Sequence, residues 1–490
     1  FVGAAAMIHG RTQGVYPAAK ALLSAIYEGA MVDFDTAIRI EARWFVNVLM
    51  NPSSEAMMRS LFVNKEALEK GAVRPAEVPD MRVRKLGVLG GGGFMGAGIG
   101  YVAANAGIEV VLLDRDAESA GKGVAHVAEL LTEGVKKRRV TEEARTEILA
   151  RVTATDDYSD LAGCDLVIEA VFEDPGVKRT VTEAAAQHMD AGAIFASNTS
   201  TLPITELAEN FPDPSRFVGI HFFSPVHKMM LVEIIKGKDT ADPAVAKALD
   251  FVRQIRKTPI VVNDARFFYA NRCIIPYINE GIRMVGEGVR PALVENAAKM
   301  LGMPLGPLQL VDETSIDLGV KIAKATKAAM GDAYPDDAVD EVLFWMADQG
   351  RMGRKSKAGF YAYDEAGKRT GLWEGLADRY AYAETQPELT QVQHRLMMVQ
   401  ALEAVRALED GVLMDVREGD VGAILGWGFA PWSGGPISWL DMIGAARAVE
   451  ICEGLEARHG ARFAAPALLR DLAESGETFY ARFDTSAKAA

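Results

Sequence analysis

The first 80 residues carry apolar side chains at helical spacing and contain no run typical of a strand. This spacing predicts helices over 18–29, 34–51 and 55–70. Gly71 stands where a helix-ending glycine is expected, because glycine readily adopts the left-handed backbone of that position. The proline-rich stretch 73–79 then predicts an extended linker, since a proline disfavours helical backbone in the residue before it. Residues 1–80 alone are therefore not a complete α/β domain.

From Lys85 the pattern changes to short apolar runs separated by helical stretches. A strand over 86–89, a helix over 97–105 and a strand over 108–113 together predict a βαβ unit. Further strands are predicted over 166–168, 193–196, 217–220 and 260–262. The alternation predicts a doubly wound α/β domain of the Rossmann type over residues 82–263.

An internal repeat begins near residue 264, where the predicted strands stop. Four residues recur 123 positions later: Glu280, Arg283, Gly288 and Val289 return as Glu403, Arg406, Gly411 and Val412. A second group recurs 129 positions later: Gly306, Pro307 and Asp312 return as Gly435, Pro436 and Asp441. The repeat predicts two tandem all-α modules, over 264–370 and 371–490, with a loop and a short extended piece at 354–361.

The composition is that of a globular protein and excludes several classes. The chain has 490 residues, is 49% hydrophobic and 24% charged, and carries a formal net charge of −14. This acidic balance argues against a general nucleic-acid binder. Three widely spaced cysteines indicate neither a disulfide framework nor a zinc site, and no metal is expected. No run approaches the ~18–20 apolar residues of a membrane span, so any membrane contact is expected to be peripheral.

A glycine-rich loop follows the first strand of the doubly wound segment and opens a helix. Gly91, Gly93 and Gly96 meet the GxGxxG spacing, which allows a tight turn, a close approach of pyrophosphate and packing of helix on strand. Asp114 ends the second strand 23 positions after Gly91, close to the roughly 20 expected for the acid that binds the adenosine ribose. Its carboxylate would repel a 2′-phosphate, so NAD is favoured over NADP, although the neighbouring Arg115 partly offsets this preference.

A histidine and a glutamate in the same domain predict a proton-transfer pair. His221 follows the strand over 217–220, and doubly wound sheets bind ligands beyond the carboxyl ends of their strands. Glu233 lies inside the apolar run 231–235, where a carboxylate is costly unless it is paired. A carboxylate on one imidazole nitrogen fixes the tautomer, so the other nitrogen can take a proton from a substrate hydroxyl.

Longer runs around these residues resemble the L-3-hydroxyacyl-CoA dehydrogenases of fatty-acid β-oxidation. The run 219–227 reads GIHFFSPVH and is followed by LVE at 231–233. Further matching runs lie at 169–173, 197–200, 271–272, 302–307 and 353–355. The duplicated helical part and residues 1–80 are similar to the multifunctional β-oxidation enzymes, in which a crotonase-fold enoyl-CoA hydratase domain precedes the dehydrogenase. The resemblance covers essentially the whole chain.

The resemblance implies a role for each matching catalytic residue. His221 is the general base for the 3-hydroxyl group, and Glu233 orients it. Ser200 and Asn271 hydrogen-bond the reacting oxygen. The implied reaction is the NAD-dependent oxidation of an L-3-hydroxyacyl-CoA to the 3-ketoacyl-CoA.

The resemblance also implies the cofactor contacts and the partners. Asp114 binds the adenosine ribose, and Glu173 and Lys178 contact NAD. An acyl-CoA is the expected substrate. A thiolase β subunit and a second copy of the chain are candidate partners, and a cytoplasmic location is expected.

Three departures from the family pattern stand out. Ser224 occupies a position where single-domain members usually have Asn. Before Asn271 the family commonly has a Gly-Phe pair, whereas this chain has Arg266, Phe267 and Phe268. The bulky ring replaces a permissive glycine, which we expect to reshape the acyl or CoA entrance. Residues 1–80 lack a glycine-rich oxyanion loop and a pair of catalytic glutamates, so hydratase activity is not expected.

Two other functions remain open from the residues alone. One is a β-hydroxyacid dehydrogenase that acts on a free acid or sugar acid and shares the same plan of domains. The other is a non-catalytic scaffold for a thiolase partner, against which the His221 and Glu233 pair argues. Because the chain begins at Phe1 in the apparent tail of a hydratase domain, we expect the natural polypeptide to be longer.

Overall fold

The computed structural model describes residues 1–331, 334 and 338–483. Residues 484–490, the end of the predicted second module, lie outside the described residues. The chain divides into two compact units. The sheet unit comprises Ser60–Arg272 and Ala407–Trp427, and the helical unit comprises Phe1–Arg59, Cys273–Arg406 and the chain from Gly428.

Helices make up most of the described chain. Their bounds are α1 (Val2–Thr12), α2 (Pro17–Gly29), α3 (Phe34–Leu49), α4 (Pro52–Met58), α5 (Lys65–Lys70), α6 (Phe94–Asn105), α7 (Ala117–Lys136), α8 (Glu142–Leu149), α9 (Pro175–Ala186), α10 (Ile204–Ala208), α11 (Asp242–Gln254), α12 (Ala270–Gly286), α13 (Pro291–Met300), α14 (Pro307–Thr314), α15 (Ile316–Met330), α16 (Ala338–Asp348), α17 (Leu376–Arg379), α18 (Leu389–Glu409), α19 (Val416–Trp427), α20 (Pro436–Ile443), α21 (Ala445–His459), α22 (Ala467–Ser475) and α23 (Phe479–Phe483). Each described helix is too short or too polar to cross a bilayer.

The sheet unit is built, in the described chain, around eight strands. They are β1 (Lys85–Leu89), β2 (Glu109–Leu113), β3 (Val152–Thr155), β4 (Leu166–Glu169), β5 (Ile194–Ser197), β6 (Phe217–Phe222), β7 (Leu231–Lys236) and β8 (Thr258–Asn263). Their spatial order is β3-β2-β1-β4-β5-β6-β7-β8. Neighbours run parallel except β6 and β7, which are antiparallel. The chain order reverses between β1 and β4, so the carboxyl ends of these strands flank the usual ligand crevice of a doubly wound sheet.

The core of the sheet unit explains why its strands read as continuous apolar runs. Leu86, Val88, Val110 and Ile168 are fully buried, since helices cover both faces of the sheet. The prediction of a Rossmann-type domain is thereby confirmed, and each of the six predicted strands is present. Two strands were missed. The edge strand β3 is half polar and half exposed, and β7 is visible in the sequence only as the apolar run 231–235.

The predicted N-terminal helices are present with small changes of length. The helix predicted over 55–70 is α4, a π-helical turn over Arg59–Asn64 and α5. Gly71 ends α5 with a φ of +92°, as its position predicts. Side-chain caps begin two helices of the sheet unit: Asp116 accepts from Ser119 N at the start of α7, and Asp174 accepts from Val177 N at the start of α9.

In the helical unit, equivalent aspartates of the two sequence repeats make equivalent hydrogen bonds. Asp312 accepts hydrogen bonds from the backbone N–H groups of Phe360 and Tyr361 at 2.8 and 2.9 Å. Asp441, its counterpart in the second repeat, accepts from the N–H groups of Phe479 and Tyr480 at 2.7 and 3.1 Å. The second repeat therefore preserves one arrangement of the first, a carboxylate that accepts two successive backbone N–H groups.

The prediction that strands stop near residue 264 misses one hairpin, although the short extended piece predicted at 354–361 reaches its first residue. A short antiparallel hairpin of β9 (Tyr361–Tyr363) and β10 (Arg369–Leu372) lies in the first repeat. Its first strand begins at the Phe360 and Tyr361 amides that Asp312 binds, so a buried carboxylate fixes its start. The module boundaries at 264, 370 and 371 stay predictions.

Candidate active site

His221 and Glu233 form a buried pair across the antiparallel strands β6 and β7. They are directly opposite in the strand register, and Nδ1 of His221 lies 2.8 Å from Oε2 of Glu233. The side chains are only 6% and 0% exposed. The antiparallel turn of β7 is what brings position 233 back to position 221 near the carboxyl end of β6.

The second carboxylate oxygen of Glu233 is also occupied. Oε1 accepts hydrogen bonds from the backbone N–H groups of Tyr269 and Ala270 at 3.0 and 2.9 Å. These amides belong to the start of α12, where unpaired N–H groups and the helix dipole favour a negative charge. Burial of the carboxylate is therefore compensated on both oxygens, and its orientation toward His221 is fixed.

Aromatic rings surround the histidine. The ring centroid of Phe223 lies 4.5 Å from that of His221, and that of Phe268 lies 6.0 Å away. The loop from Phe223 to Met230 is held by Lys257, whose Nζ donates to the carbonyl of Val226 at 2.6 Å and to that of Met229. Burial lowers the pKa of Lys257 to about 8. Apolar walls and a fixed loop thus restrict the surroundings of the imidazole.

Phe267 and Phe268 show how the chain accommodates its departure from the family pattern. Their φ angles are +69° and +51°, in the left-handed region that favours glycine. Each such residue costs roughly 1–2 kcal/mol relative to ordinary backbone. Phe268 is fully buried beside His221. That the acyl or CoA entrance is reshaped stays a prediction.

Asn271 and Ser200 meet beside the first turn of α12. Nδ2 of Asn271 donates to the backbone carbonyl of Ser200 at 2.8 Å. The hydroxyl of Ser200 lies 3.2 Å from Oε1 of Glu173. The structure therefore brings three of the predicted site residues, Asn271, Ser200 and Glu173, into one hydrogen-bonded group.

Glu173 organises the loop that carries Ser200. Its Oε1 accepts from the N–H groups of Ser200 and Thr201 at 2.8 and 3.0 Å and from the Thr199 hydroxyl at 2.7 Å. Burial alone would raise the pKa of Glu173, but the charge of Lys178 and these hydrogen bonds outweigh it, so the pKa is lowered. The carboxylate is therefore stabilised as an anion.

Lys178 is buried beneath this loop. Its side chain is 2% exposed, and Nζ lies 2.9 Å from Oε1 of Glu169 and 3.2 Å from Oε2 of Glu173. The contact seen here is with the two glutamates, so any effect on NAD would pass through Glu173. Glu169, at the end of β4, is the buried partner of Lys178. It begins the matching run 169–173, but the sequence alone did not indicate this role.

The glycine loop has the shape that a bound pyrophosphate requires. A Cβ atom at Gly91 would lie 2.7 Å from Cβ of Leu112, and one at Gly96 would lie 2.3 Å from the carbonyl oxygen of Gly90. A Cβ at Gly93, by contrast, would meet only that carbonyl, at 3.2 Å. Gly91 and Gly96 therefore allow internal packing, whereas Gly93 leaves space for a ligand at the start of α6.

Asp114 lies next to this loop, at the end of β2. Its Oδ2 accepts from the N–H of Gly92 at 2.9 Å, and Oδ1 accepts from the N–H of Arg115 at 2.8 Å. Each oxygen retains a second lone pair for a ribose hydroxyl. The residues present thus fit an adenine dinucleotide, with Asp114 on its ribose and the start of α6 on its phosphates.

Asn198 is a site residue that the sequence reasoning did not single out. Its Oδ1 accepts from the backbone N–H of Phe222 at 2.8 Å, joining the ends of β5 and β6 next to His221. The signal was its place two residues after the strand predicted over 193–196, in the run 197–200. In the part of the chain that the structure describes, no group of three metal-ligating side chains is found.

Two family models match the chain in succession. Residues 85–265 match the 3-hydroxyacyl-CoA dehydrogenase NAD-binding domain, and residues 268–363 match the 3-hydroxyacyl-CoA dehydrogenase C-terminal domain. The site described above lies within these two ranges. The prediction of NAD as cofactor is thereby confirmed.

Solved structures agree with this assignment. The 3-hydroxybutyryl-CoA dehydrogenase of Escherichia coli K12 is 26% identical over 80% of this chain and 99% of its own, with a TM-score of 0.69. The (S)-3-hydroxybutyryl-CoA dehydrogenase of Ralstonia eutropha is 34% identical over 58% of this chain and 100% of its own, with a TM-score of 0.54. The dehydrogenase part of multifunctional enzyme 1 from C. elegans is 26% identical over 84% and 96%, with a TM-score of 0.60. The chain therefore belongs to the 3-hydroxyacyl-CoA dehydrogenase family, a family of oxidoreductases, and carries its NAD-binding domain.

Proposed function

We propose that the protein oxidises L-3-hydroxyacyl-CoA to 3-ketoacyl-CoA with NAD in fatty-acid β-oxidation. The observation that supports this most directly is the buried His221 and Glu233 pair at the carboxyl end of β6. Glu233 accepts the Nδ1 proton, which leaves Nε2 as the basic nitrogen of the neutral imidazole. A substrate hydroxyl that reaches Nε2 would meet a general base of fixed orientation.

The reaction balances with one proton and one hydride leaving the substrate. His221 Nε2 takes the proton of the 3-hydroxyl group, and the carbonyl forms as the hydride leaves C3. NAD, when bound, supplies the hydride acceptor. The imidazolium that forms is stabilised by the Glu233 carboxylate 2.8 Å away, because an opposite charge in a buried site favours the charged ring.

The remaining site residues orient the substrate and the dinucleotide in this proposal. Asn271 and Ser200 hydrogen-bond the reacting oxygen, and the Glu173 carboxylate holds the loop that carries Ser200. An ion pair with Lys178 fixes the Glu173 carboxylate. Gly91, Gly93, Gly96 and Asp114 hold the dinucleotide.

The substrate class is tested by following NADH absorbance with matched pairs of substrates. We expect turnover with acetoacetyl-CoA and with L-3-hydroxyacyl-CoA thioesters of several chain lengths. Free 3-hydroxy acids and sugar acids should react far more slowly. Faster turnover of the free acids would instead identify a β-hydroxyacid dehydrogenase. The absence of turnover with either class would favour a scaffold for a thiolase.

We also propose that the chain is the dehydrogenase part of a multifunctional enzyme, resembling the α chain of the bacterial trifunctional complex. Its domains would be 1–80 (the hydratase tail and linker), 82–263, 264–370 and 371–490. The similarity to multifunctional enzyme 1 over 84% of the chain supports this organisation. Intact-mass measurement of the protein from its source tests whether the polypeptide is longer, and co-purification of a thiolase tests the partner.

A further inference from the structure

Helix α19 belongs to the second repeat by sequence but packs within the sheet unit. Oε1 of Glu418 accepts from the backbone N–H of Val261 on β8 at 2.6 Å. A Cβ atom at Gly422 would lie 2.8 Å from Ile260, and one at Gly426 would lie 2.7 Å from Leu231. The two glycines therefore let α19 lie directly against β7, the strand that carries Glu233, and against its neighbour β8.

Tyr269 connects this helix to the catalytic carboxylate. Its hydroxyl donates to the carbonyl of Gly419 at 3.0 Å, and its ring packs edge-on against Trp427 with centroids 5.7 Å apart. Its backbone N–H donates to Oε1 of Glu233 at 3.0 Å. The residue is fully buried. One residue thus holds α19 through its side chain and Glu233 through its backbone.

Residues 410–412, just before α19, contact the chain before and after Tyr269, at Asn263 and at Arg272. Asn263 donates from its backbone N to Val412 and from Nδ2 to Gly411, at 2.9 and 2.7 Å. Nη2 of Arg272 lies 2.6 Å from Oδ2 of Asp410. The stretch from β8 to α12 is therefore fixed at both ends by residues 410–412.

The backbone between these two anchors is strained. Phe267 and Phe268 adopt left-handed backbone, which persists only where the surroundings enforce it. Tyr269 follows them directly and presents its amide to Glu233. Loss of the contacts that hold this stretch to residues 410–412 and to α19 would therefore displace the Tyr269 amide.

We propose that Tyr269 is a positioning residue, through which α19 of the second repeat fixes the orientation of Glu233 toward His221. The inference rests on the proposed function of this pair. It assigns the second repeat a part in the proton transfer, because three successive hydrogen bonds lead from Gly419 through Tyr269 and Glu233 to His221.

The chain offers a matched control for a test. Tyr277 lies on α12, is fully buried, and donates its hydroxyl to the carbonyl of Leu305 at 2.7 Å. Tyr269→Phe and Tyr277→Phe therefore each remove one hydrogen bond from the hydroxyl of a buried tyrosine to a backbone carbonyl. Only the first variant touches the residue whose amide binds Glu233.

The kinetic test uses acetoacetyl-CoA and NADH with the full chain. Tyr269→Phe should lower kcat by about three- to tenfold and leave both KM values within about twofold, since the change affects the proton transfer and not the binding of either substrate. Tyr277→Phe should leave kcat unchanged despite a similar loss of thermal stability. An unchanged kcat in Tyr269→Phe, or an equal loss in Tyr277→Phe, would overturn the proposal.

Amide hydrogen exchange provides a readout that needs no substrate. The amides of positions 269 and 270 should exchange faster in Tyr269→Phe than in the wild type and should be unaffected in Tyr277→Phe. Equal exchange in all three proteins would overturn the proposal. If the wild type fails to turn over acetoacetyl-CoA, the proposed function fails, whereas the exchange result still decides whether Tyr269 fixes these amides.

Discussion

Nδ1 of His221 lies 2.8 Å from one oxygen of Glu233, while the other oxygen accepts the backbone amides of Tyr269 and Ala270. The Glu233 side chain must therefore accept hydrogen bonds on both of its oxygens. An ionised carboxylate provides this, because each of its oxygens accepts hydrogen bonds and neither donates. The arrangement leaves only one tautomer of the neutral imidazole compatible with the pair, with the proton on Nδ1.

Glu233→Gln is expected to abolish most of the activity without unfolding the site. The amide has one accepting oxygen, so if this faces Tyr269 and Ala270 its NH₂ group faces His221. Nδ1 must then accept, Nε2 carries the proton, and the general base is lost. We expect kcat to fall by a factor of about 10²–10⁴, the same range as for His221→Ala.

Dinucleotide binding separates a chemical defect from a structural one in both variants. The Kd for NADH, measured by fluorescence, should stay at the wild-type value, since neither residue belongs to the glycine loop. A Glu233→Gln protein with wild-type kcat would contradict the proposed role of the pair. A His221→Ala protein that cannot bind NADH would show that the histidine is structural.

Asp114→Ala is expected to weaken NAD binding and to reduce the preference over NADP. The variant loses the acceptor for a ribose hydroxyl and the support of Gly92 N, and it no longer repels a 2′-phosphate. The KM for NAD should rise about tenfold, which corresponds to one lost hydrogen bond of ~1.4 kcal/mol, while kcat changes little. Steady-state kinetics with both dinucleotides measures the ratio of their kcat/KM values.

Asp116→Asn serves as the control for this variant. Asp116 is a neighbouring carboxylate that caps α7 through Ser119, and an asparagine caps equally well. The control should retain the wild-type preference for NAD. An equal change of preference in both variants would show that general charge near the loop, and not Asp114, decides the selectivity.

The sequence predicts the parts of the fold that local pattern determines. The parallel strands of the sheet are mostly short runs of apolar residues, so β1, β2 and β4 are visible in the sequence without any partner. The glycine loop is visible because its spacing reflects steric contacts within a few residues. β3 could not be predicted in this way, since half of the residues in this edge strand are polar and it therefore contains no apolar run.

Contacts between distant segments were beyond this reasoning. Glu233 is conspicuous as a carboxylate in an apolar run, and this suggested His221 as its partner. The amides of Tyr269 and Ala270 on its other oxygen lie 36 and 37 positions away and follow from tertiary packing alone. The bond from Tyr269 to Gly419 spans 150 positions, and neither residue belongs to a recognisable motif.

The lowered pKa of Lys257 leads us to expect that its contribution to stability increases at alkaline pH. Burial lowers its pKa to about 8 in the folded protein, against 10.5 as the ordinary value. Between about pH 8 and pH 10.5 the unfolded chain binds the extra proton, so the contribution of Lys257 to the unfolding free energy rises with pH. In urea unfolding, the stability of the wild type relative to Lys257→Met should therefore increase over this range. A flat or falling difference would contradict the prediction.

Asp312 and Asp441 occupy equivalent positions in the two repeats, and we expect the stability of each repeat to depend on its carboxylate. Each accepts two backbone N–H groups, and Asp312 also accepts the hydroxyl of Tyr363 at 3.0 Å. Asp312→Ala leaves two buried N–H groups without their acceptor, and Asp441→Ala leaves two half-buried ones. We expect each variant to lose about 2–3 kcal/mol of unfolding free energy in urea, with the larger loss for Asp312→Ala.

A pH series distinguishes a capping role for Asp312 from a merely charged one. Burial raises the pKa of Asp312 to about 6, against an ordinary 3.8, because it outweighs the bonds from the Tyr361 and Phe360 amides. The folded state binds the extra proton between these values, so the contribution of Asp312 to stability falls as the pH rises from about 4 to about 6. The loss caused by Asp312→Ala should therefore be larger at pH 4 than at pH 7. A loss that grows with pH would mean that the carboxylate acts mainly through its charge.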